Sequence, residues 1–177
     1  MWNLFVIYAY IQYIIRKYKE VHEIMDNIDL KILEMLQENA RISNAEISRN
    51  LDMAPSAVLE RIRKLEAKDV ISGYEVKLNP KSLHYGLVAF IFVREIEGKG
   101  SWSTGEQLSK LPEVLEVHHV AGEDCLLVKV RTKDTDHLEK LLKKDFAAIE
   151  SLASTRTTIV LSTIKESTKF PIKSVDD

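Results

Sequence analysis

Residues 43–66 read SNAEISRNLDMAPSAVLERIRKLE, and the order of signals in them decides the first half of the fold. Ser43 and Glu46 have the spacing of a capping box, in which an N-cap hydroxyl and a carboxylate three residues on each satisfy a free backbone N–H. Ile42 and Ile47 occupy the staple positions around it. A short break at Asp52, Met53 and Ala54 is followed by Pro55, whose fixed φ suits the first turn of a further helix running to about Lys68. The spacing predicts helix, tight turn, helix. In the second of these helices Val58, Ile62 and Leu65 fall on one face at ~100° per residue and should pack inward, which leaves Leu59, Glu60, Arg63, Lys64 and Ala67 outward.

Toward the N-terminus, MDNIDLKILEMLQENAR from Met25 sets Ile28, Ile32, Leu33 and Leu36 at helical spacing behind Asp26, a good N-cap, so a first helix ends near Asn39. Toward the C-terminus, Val70 to Leu78 reads as extended, with Gly73 as a bend. It forms the wing and connector of a winged helix-turn-helix domain over 25–78, and Asn79-Pro80 marks the boundary.

The second half alternates strand and helix signals. Leu87 to Ile96 is a strand, broken by Gly98 and Gly100, and Ser103 with Glu106 offers a second capping box for a helix ending before Pro112. Val114 to Ala121 and Cys125 to Arg131 are strands around a Gly122-Glu123-Asp124 hairpin. Asp134 caps a helix carrying Leu138, Leu141 and Leu142, and Ser154 to Ile164 is a closing β-prone run. The order β-α-β-β-α-β is the ferredoxin-like arrangement, so the chain is α+β, with this domain over 79–172 and a tail at 173–177. Its sheet has one open face, and a second subunit is the expected cover.

The 177 residues are 45% hydrophobic and 29% charged, which fits one or two small globular domains rather than disorder. A single cysteine, Cys125, excludes a disulfide framework, and no Cys/His cluster offers a metal ligand set; a reducing cytoplasm is the expected compartment. Net charge of −2 gives no overall pull toward nucleic acid, so a nucleic-acid reading rests on local charge, and Arg61, Arg63, Lys64 and Lys68 concentrate on one helix. The run Met1 to Ile15, apolar or aromatic except Asn3 and Gln12, is shorter than the ~20 residues of a bilayer span and lacks the basic leader of a signal peptide. Three readings of residues 1–24 stay open: an upstream start with Met25 as the true first residue, an extra packing helix, or a membrane-surface anchor. The first is the expectation, and no membrane partner is expected.

DLKILEMLQENAR from Asp29, SAVLERIRKLE from Ser56, VISGY from Val70 and VAGEDCLLVKV from Val120 together resemble the Lrp/AsnC, or feast/famine, family of bacterial and archaeal regulators, over Met25 to about Ile172. The resemblance implies sequence-specific binding of double-stranded DNA, modulated by a free amino acid, and a homodimer that assembles to a tetramer or octamer. Two positions depart from the family pattern: Ala54 stands where Ser or Thr often caps the recognition helix, forfeiting about 1 kcal/mol of capping, and Asp52 stands where Gly is common.

A recognition helix enters the major groove by its first turns, positioned by phosphate contacts and specified at base edges. Ser56 and the helix start suit a phosphate, Arg63 and Lys64 share the outer face, and Arg61, nearer the packed side, is placed to pair with Asp29. Leu59 fits a thymine methyl or burial against the wing. Glu60 fits a cytosine amino group or repulsion of non-specific DNA. The bland alternative for all five, Ser56, Leu59, Glu60, Arg63 and Lys64, is a solvated helix face.

In the family the hairpin at Gly122, Glu123 and Asp124 lines the effector pocket between neighbouring dimers. Its carboxylates would accept from an α-ammonium group, with Thr157, Thr158 and Ser162 as polar neighbours; the bland alternative is an ordinary polar turn. His118 and His119 point to opposite faces of a strand, and no nucleophile-base set, paired carboxylates or Gly-rich phosphate loop is evident, so neither catalysis nor a cofactor is expected. Two rival readings remain. One is an enzyme resembling siroheme decarboxylases, with His118 or His119 and Arg131 at a tetrapyrrole; the other is an amino-acid-binding regulatory subunit without DNA binding.

Overall fold

The computed structural model describes Gln12 and residues 25–96, 101–121 and 125–172, without the side chains of Ser101 and Trp102. The rest of the leader 1–24, the Gly98 and Gly100 break, the Gly122-Glu123-Asp124 hairpin and the tail lie outside the described residues. No helix among those described is long and apolar enough to cross a membrane.

The chain divides into two compact units, one of residues 77–166 and one that holds the described residues before and after it. The helical unit contains α1 (Asn27–Glu38), α2 (Asn44–Leu51) and α3 (Pro55–Ala67). Asp26 caps α1 and makes a full box with Asp29: its carboxylate accepts from Asp29 N–H at 2.9 Å, and the Asp29 carboxylate accepts from Asp26 N–H at 3.3 Å. Ser43 caps α2 by accepting from Glu46 N–H at 3.2 Å. One side chain or more from each helix, Ile32, Ile47, Val58, Ile62 and Leu65, fills a common core, and burying each such group is worth about 1.5–3 kcal/mol.

Asp52 ends α2 in the left-handed region, φ 51° and ψ 49°. That explains why glycine suits this position: a Cβ is penalised there by about 1 kcal/mol, and Asp is one of the few other residues that visits it. Beyond α3 the N–H groups of Val70 and Ile71 both reach Leu65 O, at 2.9 and 3.3 Å, and close the helix end. The stretch that follows to Leu78 belongs to no strand, although an extended wing is expected there. Tyr74 fixes part of it by donating to Glu66 Oε1 at 3.0 Å.

A second difference concerns the C-terminal segment. Residues 167–172, expected in the second domain, pack in the helical unit instead. Gln37 on α1 serves Phe170 like a neighbouring strand: its Oε1 accepts from Phe170 N–H at 2.8 Å and its Nε2 donates to Phe170 O at 3.2 Å. Lys169 pairs with Glu38 at 2.7 Å. The segment joins Met25, Leu33, Leu36 and Val70 around an apolar groove.

The other unit is a four-stranded antiparallel sheet in the order β2-β3-β1-β4, from β1 (Leu87–Glu95), β2 (Val114–His119), β3 (Leu126–Thr132) and β4 (Leu152–Ile159). Ala89, Ile91 and Val93 of β1 face Val130, Val128 and Leu126 of β3. Above them lie Leu108 of α4 (Ser101–Ser109), Leu138 of α5 (Thr135–Lys140), and Leu141 and Phe146 of the π-helical turn Leu141–Phe146 that continues α5. The helices therefore cover one face of the sheet. α4 starts at Ser101, so Ser103 lies inside the first turn and is not the cap; the helical spacing of Thr104 and Leu108, both fully buried, is satisfied by either start. Asp134 does cap α5, accepting from His137 N–H at 2.8 Å.

Candidate functional site

α3 has two sharply different faces. Val58, Ile62 and Leu65 are buried, while Ser56, Leu59, Glu60, Arg63 and Lys64 are all exposed. The helix starts on Ala54 without a side-chain cap and with Pro55 in its first turn. Its leading backbone N–H groups therefore keep their positive end free for an anion. Leu59 is 37% exposed, so it is not folded away against its own unit.

The cations of this helix divide into three kinds. Arg61 is internal: Nη1 lies 2.8 Å from Asp29 Oδ1 and 2.8 Å from Asp26 Oδ2, which ties α3 to the start of α1. Asp29 beside the guanidinium raises the Arg61 pKa further, and Arg61 belongs to the scaffold. Asp26 is a partner that the sequence reading did not name; as the cap three residues before Asp29 it shares the same helix end. Lys64 is exposed but held by Glu60 across one turn at 2.8 Å, and this ammonium holds the Glu60 carboxyl below its ordinary value. Arg63 is exposed and has no ion-pair partner among the described residues. The outer face thus carries one free guanidinium, one guarded ammonium and one apolar side chain, which together suit a phosphate-lined groove with methyl groups in its floor.

Of the expected effector residues, Thr157, Thr158 and Ser162 are described, and they do not share one face of the sheet. Gly122, Glu123 and Asp124 lie outside the described residues. Thr157 pairs with Ile91 on the helix-covered face and is half-buried, whereas Thr158 pairs with Phe90 on the open face and is exposed. Alternation along β4 separates them. Ser162 stands beyond the end of β4, exposed, where the β-prone run was expected to continue to Ile164. The strand stops at Ile159 because its partner β1 begins at Leu87, and Val160 N–H makes the last bond, to Val88 O at 2.9 Å.

The open face holds an ion network that the sequence did not reveal. Lys129 Nζ lies 2.9 Å from Glu116 and 2.6 Å from Glu166, and Arg131 lies 3.2 Å from Glu166. Hydrogen bonds donated to Glu116 and Glu166 raise the Lys129 pKa, and the same ammonium lowers both carboxyls. Arg156 stacks over Phe92, its guanidinium carbon 4.1 Å from the ring centroid. His118 bonds Glu116 at 3.1 Å, and the register sets it opposite Leu127 while His119 sits opposite Leu126, so the two histidines serve different faces.

Residues 25–72 match the family model described as winged helix-turn-helix DNA-binding, and residues 88–170 match the Lrp/AsnC ligand binding domain. The HTH-type transcriptional regulator FL11 of Pyrococcus furiosus is 37% identical over 150 residues, spanning 85% of this chain and 98% of that protein. The leucine-responsive regulatory protein of Escherichia coli K12 is 36% identical over 154 residues, spanning 85% and 93%. Among solved structures, E. coli AsnC superposes with a TM-score of 0.77 at 30% identity, over 82% of this chain and 97% of AsnC. A transcriptional regulator of Neisseria meningitidis in complex with L-Met superposes with a TM-score of 0.76 at 30% identity, over 83% and 96%.

Proposed function

The chain belongs to the Lrp/AsnC family of helix-turn-helix transcriptional regulators, and from that premise we propose how it binds DNA and what controls it. α3 is the recognition helix, with Ser56 and the uncapped helix start on a phosphate, Arg63 and Lys64 along the groove, Leu59 on a thymine methyl and Glu60 limiting non-specific attachment. The observation that carries this reading is the division of α3 into a buried face and an exposed one on which Arg63 has no ion-pair partner among the described residues.

The minimum unit is a homodimer joined through the open face of the sheet, where half-buried Phe90, Phe92 and Leu127 lie in one layer. Its two recognition helices address half-sites about 34–36 Å apart. The effector is a free amino acid, supported by the L-Met complex of the Neisseria relative, and it is met by Glu123 and Asp124 of the hairpin. Thr157 is its polar neighbour on the helix-covered face, whereas Thr158 lies on the open face and Ser162 beyond the end of β4. The protein works in the cytoplasm and performs no chemistry of its own. Arg131 and His118, needed by a tetrapyrrole enzyme, are each already bound to a carboxylate, Glu166 and Glu116.

The test is selection of bound genomic fragments with and without the twenty amino acids. Pseudo-palindromic fragments whose recovery changes with an amino acid are expected, and absence of enrichment over random DNA would overturn the reading. Asp124→Asn then keeps the loop's shape and removes its charge. It should weaken ligand binding and leave ligand-free DNA binding intact.

A further inference from the structure

Residues 167–172 belong to the helical unit, although the whole sheet unit separates them from α3 along the chain. One side chain holds them. The Gln37 carboxamide meets both backbone groups of Phe170, accepting from its N–H at 2.8 Å and donating to its carbonyl oxygen at 3.2 Å. The Phe170 ring is 79% exposed, so α1 grips the backbone rather than the ring. The Lys169–Glu38 pair beside it is exposed on both sides and adds little.

The outer residues of α3 do not line the groove that this segment borders, but the two supports of α3 do. Leu33, Leu36 and Gln37 come from α1, whose first turn bonds α3 through Asp26, Asp29 and Arg61 at 2.8 Å. Val70 to Glu75 come from the stretch after α3, which Tyr74 ties to Glu66 of that helix at 3.0 Å. A helical unit this small buries too little surface to be rigid on its core alone. Whatever steadies α1 and the stretch after α3 therefore steadies α3 as well.

We propose that Gln37 is a positioning residue for DNA binding: it seats residues 167–172 beside α1 and the stretch after α3, and the DNA-competent setting of α3 depends on that seat. This role rests on α3 being the recognition helix, as proposed above. A unit that is competent only part of the time shows its intrinsic affinity reduced by that fraction. Loosening the seat weakens DNA binding without removing a phosphate contact, because Gln37 carries no charge. Linkage requires the reverse effect, so bound DNA tightens the seat.

Titration of a mixed-sequence DNA duplex at several salt concentrations, on the full chain and on Gln37→Leu, Gln37→Glu and Arg63→Ala, tests this. Gln37→Leu loses both bonds and should bind about fivefold more weakly, with the salt slope of the parent. Gln37→Glu keeps the acceptor for Phe170 N–H and should fall between the two. Arg63→Ala should flatten the slope by about one unit per subunit. Amide exchange adds a readout that a purely structural contact does not move: Phe170 N–H should exchange more slowly once DNA is bound. If Gln37→Leu binds as tightly as the parent, the role is overturned and the recognition helix stands. If Phe170 N–H exchanges at one rate with and without DNA, the contact is structural only and the role is likewise overturned. If Arg63→Ala keeps the slope of the parent, α3 does not face the duplex and the role falls together with that reading.

Discussion

Replacing Arg61 by Ala should destabilise the helical unit by about 2–3 kcal/mol without removing a DNA contact. Asp29 is a buried residue, its side chain 13% exposed, so losing its guanidinium partner leaves a largely desolvated carboxylate; a hydrogen bond to a charged group is worth about 1.5–3 kcal/mol. Asp26 is 52% exposed at its side chain, and its share, screened by water, is below about 1 kcal/mol.

The double-mutant cycle Arg61→Ala with Asp29→Ala isolates the pair from the capping box that Asp29 also serves, and the coupling should be about 1–2 kcal/mol. A chain of two compact units need not melt in one step, so the assay is amide exchange of α1 and α3 against urea rather than a single melting temperature. The pH dependence has a definite sign. Burial pushes the Asp26 carboxyl up, but bonds from Asp29 N–H and from Arg61 outweigh it, and the carboxyl titrates below its ordinary value. A lowered carboxyl contributes stability that is fully present above its ordinary pKa and lost as pH falls through the lowered one. The Asp26 share of the gap between parent and Arg61→Ala should thus persist at neutral pH and close in acid. A coupling below about 0.3 kcal/mol would refute the tie between the helices.

Three further outcomes follow from the same geometry. Glu60→Gln frees Lys64 from its 2.8 Å partner, so affinity for random DNA should rise at low salt and its salt dependence steepen, measured by titration at several salt concentrations; an unchanged slope would show that Lys64 reaches no phosphate. Leu59→Ala should cost little stability, because the side chain is 37% exposed, while blurring preference at one base step in a selection experiment; an unaltered sequence preference would remove it from the interface. Glu166→Gln should reduce stability at neutral pH, with the gap to the parent closing as pH falls through the lowered Glu166 carboxyl, and again as pH rises through the raised Lys129 ammonium. Parallel curves over the whole range would mean that the Lys129–Glu166 pair carries no net stability.

The features legible in the residues alone are those whose physics is local. The caps at Asp26, Ser43 and Asp134, the break at Asp52, the Pro55 start and the inward triad Val58, Ile62 and Leu65 depend on neighbours within about four residues, and each is where the spacing puts it. Alternation separates Thr157 from Thr158 just as it separates His118 from His119. Local logic also misled: the wing to Leu78 forms no strand, the β-prone run to Ile164 ends at Ile159, and Ser103 and Glu106 have capping spacing, yet α4 starts at Ser101, because burial of Thr104 and Leu108 is compatible with a longer helix.

Only the tertiary structure decided the pairings between residues far apart in the chain. The return of residues 167–172 to α1 depends on Gln37 meeting the Phe170 backbone, a contact 133 residues apart in sequence. The hold of Lys129 on Glu166 and the isolation of Glu95 Oε1 among the described residues depend on strand register and on which face each side chain takes. Composition carries no trace of these, because a glutamate reads alike in sequence whether it is solvated, salt-bridged or buried without a partner; its environment alone distinguishes the three.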